Sequence, residues 1–219
     1  MDKSKQGFTL VEIAIVLVII GLLLGGILKG QEMITQAKIK NIIADFSGVS
    51  AAYHGYQDRY RAIPGDDKSG DRWTGTKTGN GDGIIAGTWN TTTADTESIL
   101  YWEHLRKAGF VSGSGQENPF NAVSGKMGVQ TGDGSGATPV GVLGTAADTN
   151  LITGLVMCSA NLPDKVAISV DSQMDDGNGK AGTVRATKQA APNPALVAKA
   201  SADAYSEDGV STYIVCRQM

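Results

Sequence analysis

Gly7-Phe8-Thr9-Leu10-Val11-Glu12 opens an apolar run that continues to Leu28 with one charge, Glu12, and no proline. At about 1.5 Å of rise per residue the run spans roughly 30 Å, the thickness of a bilayer's hydrocarbon core. It reads as a membrane-spanning helix. A secretory signal fits less well, because its apolar region is usually about 7–15 residues and ends at a small-residue cleavage site. Lys3 and Lys5 precede the run, so the positive-inside rule puts the N-terminus in the cytoplasm and everything after Lys29 outside. A carboxylate inside such a helix is costly and marks a functional residue by default. Glu12 is either that or a charge kept hydrated at the headgroups.

Lys5-Gln6-Gly7-Phe8-Thr9-Leu10-Val11-Glu12 resembles the processing signal of type IV pilins and type II secretion pseudopilins. The resemblance covers about a tenth of the chain. It implies cleavage after Gly7 by a prepilin peptidase, N-methylation of the new N-terminus Phe8, and a role for Glu12, fifth in the mature chain, in assembly. The physics is consistent with that role. Cleavage creates a cationic α-amino group at Phe8, and a neighbouring subunit's amine beside Glu12 would relieve an unpaired charge in hydrocarbon. The implied partners are other pilin or pseudopilin subunits, the peptidase, an inner-membrane assembly platform, and membrane lipid before assembly. The implied location is the bacterial inner membrane, single pass, with the C-terminal domain periplasmic, followed by an extracellular or periplasmic filament.

The resulting division is a leader at 1–7, a transmembrane and assembly helix at 8–29, an amphipathic stem at 30–62 and a globular domain at 63–219. In the stem Ile34, Ala37, Ile42, Phe46, Val49, Tyr53, Tyr56 and Tyr60 recur at helical spacing, with polar residues between them. Ile63-Pro64 predicts its end near Arg61, giving a helix of roughly 80 Å from Phe8. Gly21, Gly25, Gly26 and Gly30 are its weak points, each costing about 1 kcal/mol relative to Ala.

Beyond the stem, residues 64–92 read as loop and Thr93–Ala108 as a second helix, with Ile99, Trp102 and Leu105 on one face and Gly109 as its C′ residue. Met127–Val129, Val140–Leu143, Leu151–Cys158, Thr183–Thr187 and Thr212–Cys216 are strand candidates. A short helix opens at Leu162-Pro163-Asp164, with Pro163 in its first turn. Residues 188–209 read as a surface loop. The fold class is α+β: a long N-terminal helix packed on a C-terminal antiparallel sheet, resembling the pilin roll.

Cys158 and Cys216 both lie on the outer side of the membrane helix. In an oxidising compartment a disulfide is the default, and buried free thiols are the alternative. The net charge of −3, or −4 once Asp2, Lys3 and Lys5 are removed, argues against nucleic-acid binding by bulk charge. No metal-ligand spacing of His and Cys, no CxxC and no G-x-S-x-G occurs. Asp/Asn/Gly clusters at Asp66-Asp67…Asp71, Asn80-Gly81-Asp82, Asp133-Gly134-Ser135 and Asp171…Asp175-Asp176-Gly177-Asn178 carry hard oxygen ligands that suit Ca²⁺, and the same residues are ordinary turn formers. Asp171, Asp175, Asp176 and Asn178 are the Ca²⁺ candidates that the resemblance to major pseudopilins favours. His54 and His104 are isolated, one on the stem and one in the second helix, and read as surface or core side chains and not as catalysts, so no catalytic residue and no enzyme activity is expected. The sequence therefore describes a structural subunit, with a minor tip subunit or adhesin, and more remotely an anchored enzyme, as rivals.

Overall fold

The computed structural model describes residues 9–146, 149–196 and 198–219. Helix α1 runs unbroken through 51 residues, Leu10–Tyr60, including the four glycines expected to weaken it. The chain divides into two units, 1–37 and 38–219. In the first, the large apolar side chains from Leu10 to Ile34 lie open, Leu10 being 86% exposed. Among the described residues, α1 is the helix long and apolar enough to cross a membrane.

In the second unit the stem buries Ile39, Ile42, Phe46, Val49, Ala52 and Tyr56, spaced three or four residues apart as one helix face requires. The expected face is displaced: Ile34 is exposed, Ala37 is exposed, and Ile39 takes the first buried position. α1 stops four residues before Pro64, where Arg61 turns left-handed (φ 54°).

Helix α2 is Glu97–Lys107, shorter than the Thr93–Ala108 expected. Asp95 is left-handed (φ 63°), which stops the helix extending backwards. α2 is not amphipathic in place: every residue from Glu97 to Leu105 is buried, because loops cover the side turned away from the stem. Gly109 is left-handed (φ 80°) directly after it, as expected of a C′ residue.

Four strands form one antiparallel sheet in the order β1-β2-β4-β3: β1 Met127–Thr131, β2 Leu155–Pro163, β3 Val184–Lys188 and β4 Thr212–Gln218. Two expected strands change. Val140–Leu143 contributes only an isolated bridge, Val142 to Ile152. β2 starts at Leu155 instead of Leu151 and carries on past Cys158 to Pro163. Pro163 then caps α3, Asp164–Met174, from outside its first turn (φ −55°, ψ 150°).

The period of two along the strands sorts their side chains onto two faces. Met127, Val129, Met157, Leu162, Val184, Ala186, Tyr213 and Val215 join the stem, α2 and α3 in one core. Val156, Cys158, Ala160, Ile214 and Cys216 join a second core with Trp89, Val142, Leu143, Ile152, Leu196 and Ala202. Leu196 and Ala202 come from the segment expected to be a surface loop. Through these two residues the segment forms a lid over the sheet's second face. Cys158 and Cys216 face each other directly across β2 and β4 and form a disulfide with Cα atoms 4.0 Å apart. They sit in mid-strand, not at strand ends as expected, and both are fully buried.

Candidate assembly segment and buried polar sites

Gly7 and Phe8, the expected processing residues, lie outside the described residues; Thr9 and Glu12 are described. Thr9 precedes the first turn of α1. Its Oγ1 accepts the N–H of Glu12 at 3.2 Å, while Glu12 Oε2 accepts both the N–H and the hydroxyl of Thr9 at 2.8 Å. This is a reciprocal capping box, Thr-x-x-Glu, and it satisfies two donors that a helix start leaves open. The sequence reading missed it, although Thr9 three residues before Glu12 at the head of an apolar run is its signature. Glu12 therefore has a local structural task, and its other oxygen, Oε1, is free for a second partner among the described hydrogen bonds.

Where the stem ends, a polar knot ties it to the loop after it. Tyr56 donates its hydroxyl proton to Asp67 Oδ2 at 2.6 Å, and Arg72 meets the same oxygen at 2.6 Å. Burial opposes ionisation of Asp67, but the bonds from Tyr56, Arg72 and the Ser69 N–H outweigh it and hold its pKa below the ordinary value. Arg72 lies over the rings of Tyr60 and Trp73, 4.5 and 5.0 Å from their centres. Tyr56, Tyr60 and Trp73 thus serve packing. His104 is fully buried. Its Nδ1 accepts the Gly65 N–H at 3.0 Å and its Nε2 lies 2.9 Å from the Lys77 carbonyl. A carbonyl can only accept, so the geometry assigns the proton to Nε2 and a neutral ring. Burial pushes its pKa down. With both nitrogens engaged, His104 has none left for catalysis. His54 is exposed beside Tyr53, ring centres 5.1 Å apart.

Of the Ca²⁺ candidates, Asp171, Asp175 and Asp176 bring carboxylate oxygens within 4.8 Å of one another. Asn178 stays in its own turn, accepting the Lys180 N–H. The oxygens that face inward are already used. Asp171 accepts the Tyr205 hydroxyl and the Gly177 N–H, and Asp175 Oδ2 accepts the N–H groups of Thr183 and Val184. Burial, with Asp176 and Asp175 adding repulsion, pushes Asp171 up to about 6. The residues therefore fit a turn closed by carboxylates. A second cluster brings Asp66 and Asp82, each in an acidic cluster visible in the sequence, together with Glu97, which belongs to none of those clusters. Asp66 accepts the N–H groups of Gly81, Asp82 and Gly83, and Glu97 accepts those of Asn80 and Ala86. These two buried acids wind the 80–86 loop around themselves. Asp133 likewise accepts the N–H groups of Ser135 and Val140.

Residues 2–28 match the model of the prokaryotic N-terminal methylation motif. No curated protein matches the chain. Among solved structures, the major type IV pilin PilA1 from Clostridium difficile is similar at 13% identity and a TM-score of 0.36, over 83% of this chain and 96% of that one. A superposition that loose does not bear on function, and the α+β architecture rests on the elements themselves.

Proposed function

We propose that this chain, which carries the prokaryotic N-terminal methylation motif at its start, is a structural subunit of a type IV pilus or a pilus-like filament. The observation that carries the reading is that the motif heads a helix whose apolar residues from Leu10 to Ile34 all lie open. Such a surface needs lipid or other copies of the same helix to cover it. In this account the chain enters the inner membrane with its N-terminus cytoplasmic and its 30–219 region outside. A prepilin peptidase cuts after Gly7 and Phe8 is N-methylated. The 8–29 helix then exchanges lipid for its neighbours in a filament. Glu12 keeps its bonds to Thr9 and offers its remaining oxygen to a neighbour's α-amino group. The chemistry belongs to the peptidase, and the chain supplies a scaffold.

Gly7 tests this reading. Its missing side chain leaves room at the scissile bond, so Gly7→Leu should leave full-length protein in the membrane and none in sheared filaments. Normal maturation and assembly of Gly7→Leu would refute the reading.

A further inference from the structure

Between the stem and the segments after α2 the fold leaves a groove of about 360 Å³, bordered by Ala44, Asp45, Gly48, Phe110 and Phe120 among others. Its stem side is low, since a Cβ on Gly48 would meet nothing within 4 Å. Phe120 stands 62% exposed and Phe110 36%, and with Val210 they are the exposed large hydrophobics of the described residues after Ile34. Asp45 is half-buried at the edge of this groove and makes no hydrogen bond or ion pair among the described residues. Burial pushes its carboxyl above the ordinary pKa. A groove with aromatic sides, small residues and a desolvated, unpaired carboxylate fits a helix that brings small residues and one cation.

The chain itself contains such a helix face. Gly26, Lys29, Gly30 and Met33 fall at i, i+3, i+4 and i+7 of α1, hence on one side. Gly26 and Gly30 have no neighbour within 4 Å of where a Cβ would stand. Their spacing matches that of Ala44 and Gly48, so small residues on both helices allow close backbone approach. Lys29 is held by Glu32 at 2.7 Å, but those side chains are 63% and 61% exposed. An exposed pair of that kind contributes little and is exchanged at low cost. We propose that the groove receives the Gly26–Met33 face of a second copy of this chain, with that copy's Lys29 paired to Asp45. The contact uses different surfaces on the two copies, so it repeats without closing and sets the stagger along an open assembly. It rests on the filament reading above and adds to it a specificity-determining pair.

The test uses the full chain in its assembling host, with Asp45→Lys, Lys29→Asp and the double variant measured as subunit in sheared filaments relative to membrane content. Each single reversal should lower incorporation about tenfold or more, as like charges across an interface do, and the double should recover most of it. Lys29 lies outside the 38–219 unit, so its defect is not misfolding there, and full protection of Cys158 and Cys216 from thiol reagents checks the fold of Asp45→Lys. Wild-type incorporation by either single variant, or a double no better than the singles, overturns the pairing; the second result is also what a different protein in the groove would give. Absence of the wild-type chain from filaments overturns the filament reading itself, and the pairing with it.

Discussion

Replacing Cys158 and Cys216 together by Ala should cost the 38–219 unit a large share of its stability. The bridge closes a loop with a sequence separation of 58, for which the chain-entropy model gives roughly 4 kcal/mol at 25 °C. The native state adds no compensating relaxation, because both sulfurs are fully buried among Trp89, Val142, Leu143 and Ile152, and truncation leaves space there. For a unit of this size about 1 kcal/mol moves the melting point by roughly 2–4 °C, so the expected drop is roughly 8–16 °C. Tryptophan fluorescence of the full chain in detergent follows it, since Trp89 sits in the same core as the bridge. A drop under about 3 °C would refute the reasoning, by showing that the lid over the sheet's second face, and not the bridge, holds β2 to β4.

His104 and Asp171 give opposite pH dependences. His104 has its pKa lowered by burial, so its contribution is present above the ordinary value of 6.5 and is lost as pH falls below it; with the opposing Asp171 term removed by Asp171→Asn, the melting point should fall from pH 7 toward pH 5, and adding His104→Gln should flatten that fall. Asp171 is raised from 3.8 to about 6, so its contribution is present below 3.8 and is lost as pH rises through about 6. Asp171→Asn should therefore raise stability at pH 8, and melting curves for His104→Gln are best taken in that background. Millimolar Ca²⁺ should leave the wild-type melting point unchanged, because the inward oxygens already accept N–H and O–H donors; a rise that Asp171→Asn abolishes would establish a cation there. Glu12→Gln keeps the capping box with Thr9 but removes the charge, whereas Glu12→Ala removes both. Incorporation into filaments should fall for both variants if the charge meets a neighbour's amine, and only for Glu12→Ala if the cap is what matters.

The long helix was legible because its signals are local: an apolar run, no proline before Pro64, and a 3.6-residue period in the stem. The sheet's strands were legible where apolar and polar residues alternate, as in Thr212–Cys216. Its second core was not, because Leu196 and Ala202 sit in a stretch of Ala, Pro and Asp with no period. Only tertiary packing shows that this stretch covers a sheet face. Val140–Leu143 looked like a strand by composition, yet it packs through Val142 and Leu143 with one bridge. The Asp/Asn/Gly clusters were seen as clusters, but their role came from where Asp66 and Glu97 point, and that depends on α2 being buried on all sides. The Thr9–Glu12 box is legible in the Thr-x-x-Glu spacing alone.

Everything proposed for this chain turns on whether it matures at Gly7-Phe8 and is built into a filament. Mass spectrometry of the subunit recovered from sheared filaments tests it most directly. The expected species begins at Phe8, is one methyl group heavier than its sequence, and has Cys158 and Cys216 joined. A chain found only in the membrane fraction and still beginning at Met1 would contradict it.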